Sequence, residues 1–165
     1  MYAHEADVLP LKQHSSRRRF VAMDIENING GAVDSKVLAD NAWREVAEAI
    51  GLCDDEQVVI GVGPSSLLAA GMSHPSARLV MGRGISGADK ALVEVLSDDR
   101  LAERFDEIVI VSGDGIFADV AAWLATEGTD VTVVSREGSL SRRLRLAAGA
   151  VVLLPDHASL LGWAA

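Results

Sequence analysis

The candidate strands of this chain are unbroken apolar runs separated by segments of helical periodicity, and this pattern leaves few folds open. The runs are Phe20-Val21-Ala22-Met23-Asp24-Ile25, 58–62, 77–81, 107–111, 131–134 and 151–154. A strand with one face in water alternates apolar with polar residues. A continuous run is instead buried on both faces, as in a parallel sheet covered by helices. The intervening segments supply such helices. Asp34 is placed to cap a helix carrying Val37, Leu38, Trp43, Val46, Ala47 and Ile50, which Gly51 closes. Pro64 suits the first turn of a short helix through Leu67 and Leu68. Ala88 to Leu96 has helical spacing that extends toward Arg104, Phe117 to Leu124 has it again before Gly128, and Leu140, Leu144 and Leu146 suggest one or two further turns. The alternation predicts an α/β domain with a central, mainly parallel sheet.

A chain of 165 residues has room for one domain with a substantial core. The expected division is a polar tail at 1–19, the domain at 20–155 and a C-terminal segment at 156–165. No apolar run reaches the length of a membrane span, and Met1 to Arg19 lacks the order of a secretory signal. Cys53 is the one cysteine, which excludes an internal disulfide and a thiolate metal cage. These features predict a cytoplasmic protein. The net charge of −9 argues against nonspecific coating of nucleic acid. Any phosphate contact would fall to local basic groups: Arg17, Arg18, Arg19, Arg83, Lys90, Arg136, Arg142, Arg143 or Arg145, most of which read as solvated surface charge. Trp43, Trp123 and Phe117 are assigned to the core. His4, His14, His74 and His157 have no ligand spacing and read as surface or loop residues. Apolar residues at Leu160, Leu161 and Trp163 point to a homo-oligomer.

Ligands of open parallel sheets bind outside the carboxyl ends of the strands, so the residues following each strand carry the functional reading. The first strand ends at Asp24, followed by Glu26, Asn27 and Asn29. The third leads through Gly82-Arg83-Gly84-Ile85-Ser86-Gly87 to Asp89, and the fourth into Ser112-Gly113-Asp114. Three carboxylates from distant parts of the chain thus converge on one edge of the sheet. Their repulsion calls for a divalent ion, and an all-oxygen set suits Mg²⁺ or Mn²⁺. Asn27 or Asn29 would orient a water or a substrate oxygen, unless either is a turn residue. Ser112 would donate to a phosphate or hold Asp114. Asp89 and Asp114 are each equally well placed as helix caps. Asp24 is harder to explain so, because it interrupts a buried apolar run where an unpaired charge is costly.

Val21-Ala22-Met23-Asp24-Ile25-Glu26-Asn27, Gly87-Ala88-Asp89-Lys90-Ala91-Leu92 and Ser112-Gly113-Asp114-Gly115-Ile116-Phe117 together resemble, in order and spacing, the motifs of NYN-domain proteins. The resemblance covers roughly residues 20–155. It implies a PIN-like Rossmannoid three-layer sandwich. It also implies metal-dependent hydrolysis of RNA phosphodiesters, with water as nucleophile and a 5′-phosphate product. It places Asp24, Asn27, Asp89 and Asp114 in the catalytic site, with the three aspartates on the metal. Arg83, Ser86, Lys90 and Ser112 are the expected substrate contacts. The chain departs from the pattern at Ile116, where the family usually has a further Asp. Asp119 is the candidate substitute, and a noncatalytic RNA-binding or regulatory module is the alternative function.

Two other readings fit less well. Gly113-Asp114-Gly115 suggests a haloacid dehalogenase-type phosphatase, but Glu26 stands where its second Asp belongs and the following Thr is absent. Gly82-x-Gly84-x-x-Gly87 has the spacing of a dinucleotide loop, but it follows the third strand, and Asp89 would oppose a pyrophosphate.

Overall fold

The computed structural model describes residues 17–157. Six strands form one all-parallel sheet: β1 (Arg19–Asp24), β2 (Gln57–Val62), β3 (Arg78–Met81), β4 (Glu107–Val111), β5 (Asp130–Arg136) and β6 (Ala150–Leu154), in the order β3-β2-β1-β4-β5-β6. The apolar runs are continuous because each strand feeds two cores. Phe20, Ala22, Ile108, Ile110, Val131 and Val133 point to one face. Val21, Met23, Val109, Val111 and Val134 point to the other. Helices cover both faces, so the architecture is the expected three-layer α/β sandwich. Of the helices, α1 (Ile25–Asn29), α2 (Lys36–Ile50) and α3 (Leu67–Ser73) follow β1 and β2. The rest are α4 (Gly87–Leu96), α5 (Asp99–Arg104), α6 (Ala118–Thr126) and α7 (Arg142–Ala147).

Several boundaries differ from the sequence reading, each for a local reason. Ile25 does not continue β1. The Asp24 carboxylate accepts from the Asn27 backbone N–H at 3.1 Å and so starts the short helix α1 where a loop is expected. Ser35, not Asp34, caps α2, its hydroxyl accepting from the Leu38 N–H. The helix expected from Ala88 toward Arg104 is two helices, because Asp98 takes the N-cap position and accepts from the Arg100 N–H at 3.0 Å. His74 is buried rather than on the surface, its ring stacked on Trp43 with centroids 4.0 Å apart. Arg136 is buried too, donating to the carbonyls of Ile28 and Pro155, and is out of reach of any phosphate. No helix among the described residues is long and apolar enough to cross a membrane. His4, His14, Leu160, Leu161 and Trp163 lie outside the described residues.

The strand order reverses between β1 and β4. Connections leave these neighbours in opposite directions, which opens a crevice at their carboxyl ends. Asp24 ends β1, and Ser112-Gly113-Asp114 follows β4.

Candidate active site

A cleft of about 200 Å³ opens at this switch point. It is lined by Asp24, Glu26, Asn27, Ser86, Asp89 and Asp114, together with Gly63, Ala88 and the glycines of the loop before α4. The three predicted aspartates, Asn27 and Ser86 therefore meet in one place. Glu26 is a fourth carboxylate there. The sequence places it just after the strand-end Asp, but its direction depends on the α1 turn, which the apolar pattern does not reveal.

Among the described residues, no Lys or Arg lines the cleft. A wider concavity of about 700 Å³ along the β2–β3 edge of the sheet makes the contrast plain. There Glu56, Glu94 and Asp98 are interleaved with Arg78 and Arg104. Among the described residues, the switch-point carboxylates have no such compensation.

Asp24 is only 3% exposed. One oxygen takes the Asn27 N–H, and the other accepts from the Ser112 hydroxyl at 3.1 Å. Burial, then a hydrogen bond with Asp89 and the repulsion of its charge, push Asp24 up to about 8, against the smaller opposing pull of Asn27 and Ser112. Near neutral pH Asp24 therefore carries a proton at a place where a cation would also be favoured.

Ser112 is fully buried. Besides donating to Asp24, its hydroxyl accepts from the Asp114 N–H at 3.2 Å. It therefore holds the two acidic segments in register and is not accessible to a phosphate. The Asn27 side-chain oxygen accepts from the Gly113 N–H at 2.9 Å, tying α1 to the end of β4. Asn29 is a turn residue, donating to the carbonyls of Gly31 and Ala32. The Asp114 carboxylate accepts from the Ile116 N–H at 2.9 Å, and the Ile116 side chain packs on the core. Asp119 is not part of the site: it is exposed and paired with Arg143 at 2.9 Å.

The glycine loop is shaped by backbone packing. A Cβ on Gly82 would stand 1.8 Å from the Gly87 carbonyl oxygen, so the two ends of the loop touch as only glycines allow. Gly82→Ala is expected to cost roughly 3 kcal/mol and to lower the melting temperature by about 6–12 °C in a thermal melt. Ser86 has a left-handed backbone, φ 54°, and makes no side-chain cap bond to α4, so its hydroxyl is available at the cleft. Arg83 and Lys90 are exposed beside the cleft without lining it. Arg17, Arg18, Arg19 and Arg143 are engaged with Asp130, Asp106, Glu56 and Asp119.

Among the described residues, no three His, Cys, Asp or Glu side chains form a ready-made metal cage. The Asp24–Asp89 contact nonetheless fits a divalent ion. Mg²⁺ is commonly held by one or two carboxylates with water and substrate phosphate completing its shell.

An all-parallel Rossmann-like sheet with an acidic cleft at its switch point defines a class of α/β domain. The match to the NYN domain model, over residues 20–154, shows that the chain belongs to the NYN-domain family. It is also 41% identical over 59 residues to the "Low amplitude and bright protein LabA" of Synechococcus elongatus, a stretch covering 36% of this chain. The match spans 32% of that relative's length, about a third. A crystal structure of a protein of unknown function from Vibrio parahaemolyticus is similar in fold, with a TM-score of 0.59. That likeness covers 88% of this chain and 98% of the other, at 16% identity.

Proposed function

We propose that this domain is a metal-dependent ribonuclease that hydrolyses RNA phosphodiester bonds at the switch-point cleft. The observation that carries the reading is the charge of the lining: four carboxylates line the cleft and, among the described residues, no basic side chain does. Such a site favours Mg²⁺ or Mn²⁺, and NYN membership turns that preference toward RNA. When bound, the ion would neutralise charge on the phosphate and lower the cost of activating water.

The chain's own residues would act around it. Asp24 and Asp89 would hold the ion, and Asp114, fixed by Ser112 and its cap to Ile116, lines the same cleft. Asn27 keeps the β1 and β4 ends together, which fixes the distance between Asp24 and Asp114. The Ser86 hydroxyl is placed to donate to a phosphate oxygen, with Arg83 and Lys90 attracting the strand from outside.

Cleavage of end-labelled RNA with Mn²⁺ or Mg²⁺, with and without chelator, tests this reading. Metal-dependent cutting is expected, reduced roughly 100-fold by Asp114→Asn. Ile116 favours a second reading, an RNA-binding module that does not cut, since an apolar residue packed against the core stands two positions beyond Asp114. RNA bound but left intact across a broad panel would select it.

A further inference from the structure

The structural contacts of Glu26 do not account for its charge. Its Oε1 accepts from the Gly63 N–H at 3.0 Å and from the Ser66 hydroxyl at 2.6 Å. The fit is close: a Cβ on Gly63 would stand 2.9 Å from that oxygen. These bonds dock α1 against the end of β2 and the start of α3. A neutral glutamine would make both of them through its carbonyl oxygen. The negative charge is therefore left over, and it stands in a cleft that already holds Asp24, Asp89 and Asp114.

No ion pair to Glu26 forms among the described residues, and both of its hydrogen bonds fall on one oxygen. The β4 side of the cleft offers no second carboxylate beyond Asp114, because Ile116 packs on the core and Asp119 is paired with Arg143. Glu26 approaches from the β2 side, above Gly63.

We propose that Glu26 is a positioning residue for the divalent ion, its second oxygen holding the ion in the cleft through water. This rests on the metal-dependent reading above. An indirect contact agrees with the lack, among the described residues, of three directly converging ligands. Groups that act on a metal through such contacts typically change affinity or activity by about 10–100-fold.

The test is Mn²⁺ binding to the whole chain, followed by calorimetry without RNA, alongside RNA cleavage and thermal melts in chelator. Wild type, Glu26→Gln, Ser66→Ala and Asp24→Asn are compared. Glu26→Gln is expected to weaken Mn²⁺ binding about tenfold or more and to slow cleavage about 30-fold, with its melting temperature in chelator unchanged. Ser66→Ala, which removes one anchor and keeps the charge, is expected to lose stability and far less metal affinity. Wild-type Mn²⁺ affinity in Glu26→Gln, with Asp24→Asn still defective, would overturn the proposal and leave the ribonuclease reading standing. A lower melting temperature with unchanged affinity would assign Glu26 to docking alone. Failure of the wild type to bind Mn²⁺ would remove both.

Discussion

Asp24→Asn is expected to stabilise the metal-free domain while abolishing cleavage. In the folded chain Asp24 titrates near 8, above its ordinary value of 3.8. Between about pH 4 and pH 8 the native state therefore holds a proton that the unfolded chain has released, and stability falls as pH rises through that window. The loss is complete above pH 8 and absent below pH 4. Asparagine has no charge to bury and none to set against Asp89, so the variant has no such slope. Its Oδ1 still accepts from the Asn27 N–H, which keeps α1 capped. The expected gain above pH 8 is a few kcal/mol, which corresponds to a rise of about 5–10 °C in melting temperature. His74, held low chiefly by burial, and Asp40, Asp98 and Asp106, held low by hydrogen bonds and neighbouring cations, also shape the pH profile. Their contributions cancel between variant and wild type. Cleavage is expected to drop roughly 1,000-fold, because the residue that costs stability is the one proposed to hold the ion. Thermal melts of both proteins in chelator at pH 5 and pH 8.5 check the first half. Equal melting temperatures at both would show that Asp24 is not strained by its surroundings.

The same physics sets how much the sequence revealed. Strands were legible because burial on both faces leaves an unbroken apolar run, as in Val109 to Val111. The strand-end rule then placed Asp24, Asp89 and Asp114 on one edge from topology alone, and the cleft contains all three. What stayed hidden depends on direction within a turn or on partners far along the chain. Asp119 lies close to Asp114 in sequence, yet the 3₁₀ turn at Gly115–Phe117 sets it on the outside of α6, beside Arg143. Ser112 sits where a phosphate contact would be expected, but two internal hydrogen bonds hold its hydroxyl inside. Arg136 resembles any other arginine until β5 carries it under α1 and the carbonyl of Ile28. Glu26 meets its partners 37 and 40 residues away, a pairing that only the β1–β2 register creates.

Metal affinity should depend steeply on pH, and in the direction opposite to stability. Below about pH 8 Asp24 carries a proton that an incoming cation would have to displace. If one proton leaves per ion, apparent affinity rises about tenfold per pH unit and about 100-fold from pH 6 to pH 8, then levels off. Calorimetry at pH 7 in buffers of different ionisation enthalpy should find close to one proton released per Mn²⁺ bound. Cleavage at subsaturating metal should rise over the same interval, since occupancy limits it there. The repulsion that destabilises the empty pair at high pH is relieved by the cation, so metal should raise the melting temperature more at pH 8 than at pH 6. An affinity independent of pH would mean that the ion binds without displacing that proton, and would move the metal toward Asp114 and Glu26. On the metal-dependent reading, proton and cation are thus alternative occupants at Asp24, and their exchange would link the cost of burying it to the chemistry proposed for the cleft.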